Sequence, residues 1–198
     1  IIYGLDGNDY IVTSFLAGGN DRVYGGNGHD DISTGAGNDY LEGGVGDDSL
    51  NPGAGINTIV GGEGRDRMVY QFETRNITAR WLGNGVTDVF MDGVLSDQFS
   101  GIEGMILGKG NDTIVLQASD ASNLASNTGS TREMVQGGEG YDTLRLSAGM
   151  TLDLTAITGN QTVKNIQEVE VFQMQGKSTL TMSANDVLSL GATDLVGY

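Results

Sequence analysis

Aspartates recur at nine-residue steps near the start of this 198-residue chain, each placed two residues after a glycine. Asp21, Asp30, Asp39, Asp48 and Asp66 hold the position, Asn57 holds it once, and Asp9 holds it in an earlier copy. A carboxylate is a hard oxygen donor, the kind of ligand that suits a hard cation. The glycines before it permit a tight turn whose carbonyl groups point inward, a conformation that residues with side chains resist. Two residues after each Asp or Asn stands an apolar side chain: Ile11, Val23, Ile32, Leu41, Leu50, Ile59 and Met68.

These donors need elements to hold them, and the repeat supplies those too. From Leu16 to Val69 the units read LAGGNDRVY, GGNGHDDIS, TGAGNDYLE, GGVGDDSLN, PGAGINTIV and GGEGRDRMV, and GLDGNDYIV forms a further copy at Gly4 to Val12. In the last three residues of each unit one apolar side chain faces inward and its neighbours face outward, as a strand requires. A strand that short buries nothing alone, so successive units must stack. Every second unit, at Gly25, Gly43 and Gly61, has a complete GGxG start, whereas the interleaved units begin Leu16-Ala17, Thr34-Gly35 and Pro52-Gly53. The stack is therefore expected to have two different edges, one with Asp30, Asp48 and Asp66, the other with Asp21, Asp39 and Asn57. Thr13, Ser14 and Phe15 interrupt the register after the first copy.

The pattern GGxGxDxUx, with U a large apolar residue, resembles the calcium-binding nonapeptide of RTX proteins, the type I-secreted toxins, enzymes and adhesins of Gram-negative bacteria. The resemblance implies a parallel β-roll in which two units make one right-handed turn. It also implies calcium ions between vertically adjacent turns, held by Asp side chains and glycine-loop carbonyls. Carried over residue by residue, the ligand positions are Asp9, Gly19, Asp21, Gly26, Gly28, Asp30, Gly35, Gly37, Asp39, Gly44, Gly46, Asp48, Gly53, Gly55, Asn57, Gly62, Gly64 and Asp66. Asn57 departs from the family's Asp and removes a charge. Isolated repeats at 107–115 and 137–145 add Asp112 and Asp142.

Composition bounds the rest. A formal net charge of -16 and 33 glycines oppose folding of the metal-free roll, because stacked strands about 4.8 Å apart would set like charges against one another. Strong acidity also argues against a nucleic-acid partner, whose phosphates would be repelled. There are no cysteines for disulfide or thiol chemistry, and no segment is long and apolar enough to span a membrane as a helix. The chain opens inside a repeat without Met, so it is expected to be a fragment.

The expected fold is all-β: a parallel β-roll over 1–69 continuing into an irregular solenoid or sandwich-like extension and cap over 70–198. Strands are expected near Arg67 to Glu73, Asn76 to Leu82 and Thr87 to Met91, with turns at Gly83-Asn84-Gly85 and Asp92-Gly93. A loop is expected over 117–136, and a short helix from Ser183 to about Leu190. Ile166-Gln167-Glu168 is read as the counterpart of Gly101-Ile102-Glu103. Trp81, Phe72, Phe90 and Phe99 are expected to form a capping core in preference to a ligand groove. His29, at the variable fifth position of its unit, is expected to face solvent, and no HExxH, GxSxG or His/Cys cluster is present. The resemblance then implies a non-catalytic, secreted, monomeric calcium module of a large adhesin or cell-surface protein, whose parent would engage a cell-surface or polysaccharide ligand. The rival is the RTX tail of a secreted metalloprotease, lipase or alginate epimerase, or of a toxin.

Overall fold

The computed structural model describes residues 1–13, 18–81, 86–116, 134–153 and 166–181. In the repeat region the chain alternates between two sheets. Strands β1 (Ile2–Asp6), β3 (Arg22–Asn27), β5 (Tyr40–Val45) and β7 (Asn57–Glu63) lie in one; β2 (Tyr10–Val12), β4 (Asp31–Ser33), β6 (Ser49–Asn51) and β8 (Arg67–Val69) lie in the other. All pairings within this region are parallel, and Val23, Leu41 and Ile59 stand side by side on successive strands of the first sheet. Val23, Ile32, Leu41, Leu50, Ile59 and Met68 are buried between the sheets, with Ile11 partly buried at the open end.

The sheets differ in strand length, and the sequence explains it. Strands β3, β5 and β7 run on through the first two glycines of the complete GGxG units, whereas β4, β6 and β8 stop after three residues. A strand passing through glycine meets no side-chain bulk from the turns above and below. Units that begin Thr34-Gly35 and Pro52-Gly53 lack that freedom, and in place of a strand their first residues form the isolated β-bridge Ala36–Ala54. The first copy joins the stack despite its three-residue interruption: Ile2 pairs with Val23, an offset of 21 residues, where later turns repeat at 18.

Beyond Val69 the same two sheets continue. Strands β9 (Ile77–Trp81), β10 (Val86–Met91) and β11 (Val94–Ser100) form an antiparallel meander, with β11 parallel to β7 and β9 parallel to the later strand β13 (Thr113–Leu116). Two reversals restore the original direction. The second sheet gains only β12 (Gly104–Ile106) before β14 (Met134–Gln136), so the first sheet is wider by two strands at this level. Tyr70, Val89, Met91, Phe99 and Ile102 are buried in the wedge. Further on lie β15 (Thr143–Leu146), β16 (Thr151–Asp153), β17 (Ile166–Gln167), β18 (Val171–Met174) and β19 (Thr179–Thr181); β15 and β18 extend the first sheet, β17 the second, and β16 pairs with β19.

Several expectations need correction. The strand expected over Arg67 to Glu73 ends at Val69, because Tyr70 turns inward and its hydroxyl donates to Asp97 at 2.9 Å. Strand β11 was not expected. Of the loop read over 117–136, residues 134–136 form β14, and 117–133 lie outside the described residues, as do the helix from Ser183 and the Gly83-Asn84-Gly85 turn. Asp92 and Gly93 do turn, both at positive φ. Of the aromatic residues, Phe99 is core, Phe90 is half-buried beneath the Arg80 guanidinium and Phe72 is exposed; the Trp81 side chain lies outside the description. Since Leu41 is fully buried at the centre of the roll, Leu41→Ala should cost about 2–5 kcal/mol in urea unfolding at saturating calcium.

Candidate metal sites

At the turns from the first sheet to the second, the carboxylates form a hydrogen-bonded column. The Asp9 N–H donates to Asp30 Oδ1, the Asp30 N–H to Asp48 Oδ1 and the Asp48 N–H to Asp66 Oδ1, each at 2.8 Å. One oxygen of each carboxylate is thereby spent. The other, Oδ2 of Asp9, Asp30, Asp48 and Asp66, is buried with no hydrogen-bond partner. An unpaired buried carboxylate oxygen is expensive, and such groups mark an ion or water the protein is built to hold.

The surroundings of that oxygen fit a cation. A Cβ built on Gly43 would fall against Asp48 Oδ2 and 2.7 Å from the Gly61 carbonyl oxygen, and Gly25 stands the same way to Asp30 Oδ2 and the Gly43 carbonyl. Each first glycine thus leaves a small space where one carboxylate oxygen and a next-turn carbonyl converge. The donors are all hard oxygens. Among the described residues no three His, Cys, Asp or Glu side chains gather around a common point, so an ion held here would take most of its ligands from backbone carbonyls. Gly26, Gly28, Gly44, Gly46, Gly62 and Gly64 hold positive φ, stacked over carbonyls of the preceding turn.

The opposite edge is built differently. Asp21 N–H donates to Asp39 Oδ1 and Asp39 N–H to Asn57 Oδ1, both at 2.8 Å, and Asp39 Oδ2 is again buried without a partner. Here, however, Thr34 stands where Gly25 and Gly43 stand on the first edge, and its hydroxyl donates to the Pro52 carbonyl at 2.7 Å. That carbonyl is the counterpart of the one that faces the first-edge space. Gly19, Gly35 and Gly37 bring their carbonyls against the next turn at Gly37, Gly53 and Gly55. The column then ends in a closed polar cluster: Asn57 Nδ2 donates to Asp97 Oδ1 at 2.7 Å, and Tyr70 and Ser96 hydroxyls donate to Asp97 Oδ2. Asp97 is fully buried and fully satisfied. Sequence reading missed it because it lies in a strand, outside any repeat.

Residues at the fifth position of each unit tie neighbouring loops together at the surface. Asn8 Oδ1 accepts from the His29 N–H, His29 Nδ1 from the Asp47 N–H, and Asp47 Oδ1 from the Arg65 N–H. His29 is exposed, as its position implied.

With this geometry in view, residues 1–14, 17–50 and 51–69 match the family described as RTX calcium-binding nonapeptide repeat (4 copies). The roll belongs to the RTX repeat family. No curated protein matches the chain at a significant level. Membership makes the roll part of a calcium-binding module, and the orphan RTX carboxylates are the groups that such an ion would meet.

Without metal, burial pushes Asp66 up to about 7, reinforced by the nearby Asp48 and Glu103 carboxylates and opposed by the N–H bond from Asp48. Burial likewise raises Asp48 and takes Asp97 up to about 6. An unfolded Asp titrates near pH 4. A folded-state pKa above the unfolded one favours folding at low pH, and that advantage is lost as pH rises from about 4 through 7. Metal-stripped protein should therefore show more strand signal in circular dichroism at pH 5 than at pH 8, and protons should compete with calcium below pH 7. On the two edges, Asp48→Ala should raise the calcium midpoint for folding several-fold, and Asp39→Ala by less, because Asp39 lacks the glycine space and faces neutral Asn57. Equal shifts in a calcium titration would contradict this difference.

Proposed function

We propose that this chain is a non-catalytic spacer and folding module whose RTX roll, residues 1–69, orders on meeting calcium outside the cell after type I export, and whose remainder, 70–198, extends and caps the stack. The observation that carries the reading is the first-edge column: four buried Oδ2 atoms without donors, on Asp9, Asp30, Asp48 and Asp66. Calcium bound there would supply the positive charge that the column lacks. The chain's own residues set the spacing, aim the carbonyls and exclude water with the Val23 to Met68 core.

Extracellular calcium modules bind at roughly 0.1–1 mM. At about 1 mM free calcium, a site of about 0.1 mM affinity stabilises the folded state by about 1.4 kcal/mol. Several coupled sites then decide whether the roll forms. Where free calcium is scarce, the formal charge of -16 keeps the chain loose, which suits passage through an export channel. A non-catalytic role is supported by His29, whose Nδ1 is engaged in a loop-to-loop hydrogen bond. Repetition without a catalytic motif suits a large adhesin or surface protein, with calcium as the ligand and any cell-surface or polysaccharide partner belonging to the parent.

Circular dichroism of the full chain, stripped of metal and titrated with calcium, tests the reading. Strand signal should appear between about 0.1 and 1 mM calcium and vanish in EGTA. Magnesium should substitute poorly, because it demands octahedral geometry and sheds water reluctantly. A strand-rich spectrum unchanged in excess chelator, with no trapped metal, would overturn it.

A further inference from the structure

Two acidic turns outside the repeats occupy equivalent places at the ends of the Asp columns. On the first edge Glu103 follows Asp66: its Oε2 accepts the Asp66 N–H at 2.9 Å, as Asp66 accepts from Asp48. On the second edge Glu170 follows Asp142 in the same way, accepting the Asp142 N–H at 2.6 Å. Two residues before each Glu the backbone is at positive φ, 61° at Gly101 and 54° at Glu168. The structural counterpart of Gly101-Ile102-Glu103 is therefore Glu168-Val169-Glu170, and the pairing with Ile166-Gln167-Glu168 read from sequence is two residues out of register.

The positive φ is unfavourable at Glu168, a residue with a side chain, so the surrounding turn must hold it there. It turns the carbonyl toward the stack. A Cβ on Gly61 would collide with the Gly101 carbonyl oxygen and lie 2.6 Å from Asp66 Oδ2; a Cβ on Gly137 would collide with both the Glu168 carbonyl oxygen and Asp142 Oδ2. These are the same spaces that the repeats make with one another. Asp142 is buried to 1% exposure, and its Oδ2 has no partner.

Asp112 provides the contrast. Its Oδ1 accepts the Ile77 N–H at 2.7 Å and its Oδ2 the Gly108 N–H at 3.1 Å, so backbone donors satisfy the whole carboxylate. The atoms nearest to a Cβ built on Gly108 belong to the Glu73 and Tyr70 carbonyls of an earlier loop, where at Gly137 they include the site's own Asp142 Oδ2.

We propose that Gly101-Ile102-Glu103 and Glu168-Val169-Glu170 are closing half-sites, each giving a carbonyl from a positive-φ residue to the last calcium of its column and a Glu that fixes the orientation of the site's Asp. The C-terminal part then holds a calcium site at Asp142, completed by the Glu168 carbonyl in the space left by Gly137. Asp112 holds none. The proposal rests on the calcium reading above and extends it to residues that the repeat match does not cover.

Counting bound calcium per full-length chain by equilibrium dialysis tests it on wild type, Asp112→Asn, Asp142→Asn and Gly137→Ala. Asp142→Asn and Gly137→Ala should each bind one ion fewer than wild type, and Asp112→Asn the same number. Wild-type stoichiometry in Asp142→Asn, or an ion lost in Asp112→Asn, would overturn the closing-turn assignment while leaving the roll reading intact. Failure of the wild type to bind calcium would sink both. Should a variant not fold, the wild type still decides: a paramagnetic lanthanide in place of calcium should broaden the Gly137 and Glu170 amide resonances more than that of Asn76. Equal broadening overturns the assignment.

Discussion

A carboxylate that gives one oxygen to the turn beside it and hides the other from every donor is the constraint on which this molecule turns. The hydrogen bond from each Asp N–H to the next Asp Oδ1 follows the vertical register, 21 residues at the first turn and 18 at the later turns of the roll, and the strand pairings share it. The same bond pins the carboxylate so that Oδ2 points into the stack, where it is buried. Removal of water from that oxygen is unfavourable, and proximity of the next carboxylate adds to the cost. The apolar layer is a single file of medium-sized residues and offers little to set against it. The arrangement that stacks the strands also strands the charge, which is the physical basis for the proposed coupling of folding to metal binding.

The two edges handle this cost by different means. On the first, glycine at the head of each unit lets Oδ2 and the next-turn carbonyl oxygen come together, a pair of hard oxygens of the kind a cation takes. On the second, Thr34 takes that place and gives its proton to the Pro52 carbonyl, so the protein itself occupies part of the space. Long strands accompany the glycine edge and a single bridge the other. The surface loops are indifferent to the distinction, since Asn8, His29 and Asp47 on one edge and Asn20 and Asn38 on the other make the same side-chain-to-backbone bonds. The loop residues differ in type yet keep one bonding pattern, whereas at the buried positions the difference between the edges changes the contacts themselves.

The repeats were legible because each one states its local rule completely: glycine where the backbone must turn, Asp where an oxygen is needed, an aliphatic residue where the core lies. The 18-residue superperiod, the inward residues and the all-β fold follow from that rule. Outside the copies at 107–115 and 137–145, the later region has no local rule to read. Glu103 and Glu170 do the work of a repeat Asp with one more methylene, so no nonapeptide frame announces them, and the two-residue error in aligning their turns came from matching residue types without the hydrogen bonds. Asp97 and β11 were invisible for a related reason. Their role is fixed by partners 40 and 27 residues away, Asn57 and Tyr70, and no sequence period links them. Asp112 shows the converse, a well-formed repeat signal whose carboxylate backbone donors satisfy.

Asn57 is best understood from this last class of contact. Above every other strand of the first sheet's repeat region comes another repeat strand, whose preceding turn brings its own carbonyls to the edge. Above β7 comes β11, which enters from the Asp92-Gly93 hairpin, so no glycine loop lies over residue 57 to complete a metal site. A carboxylate at 57 would face Asp97 across one strand spacing with no cation to separate them. The amide meets Asp97 with an N–H, and Tyr70 and Ser96 supply the remaining donors. The departure from the repeat thus suits the topology: where the roll passes into a sheet that widens by a meander, the residue at the repeat's Asp position is neutral and is bonded from within the protein.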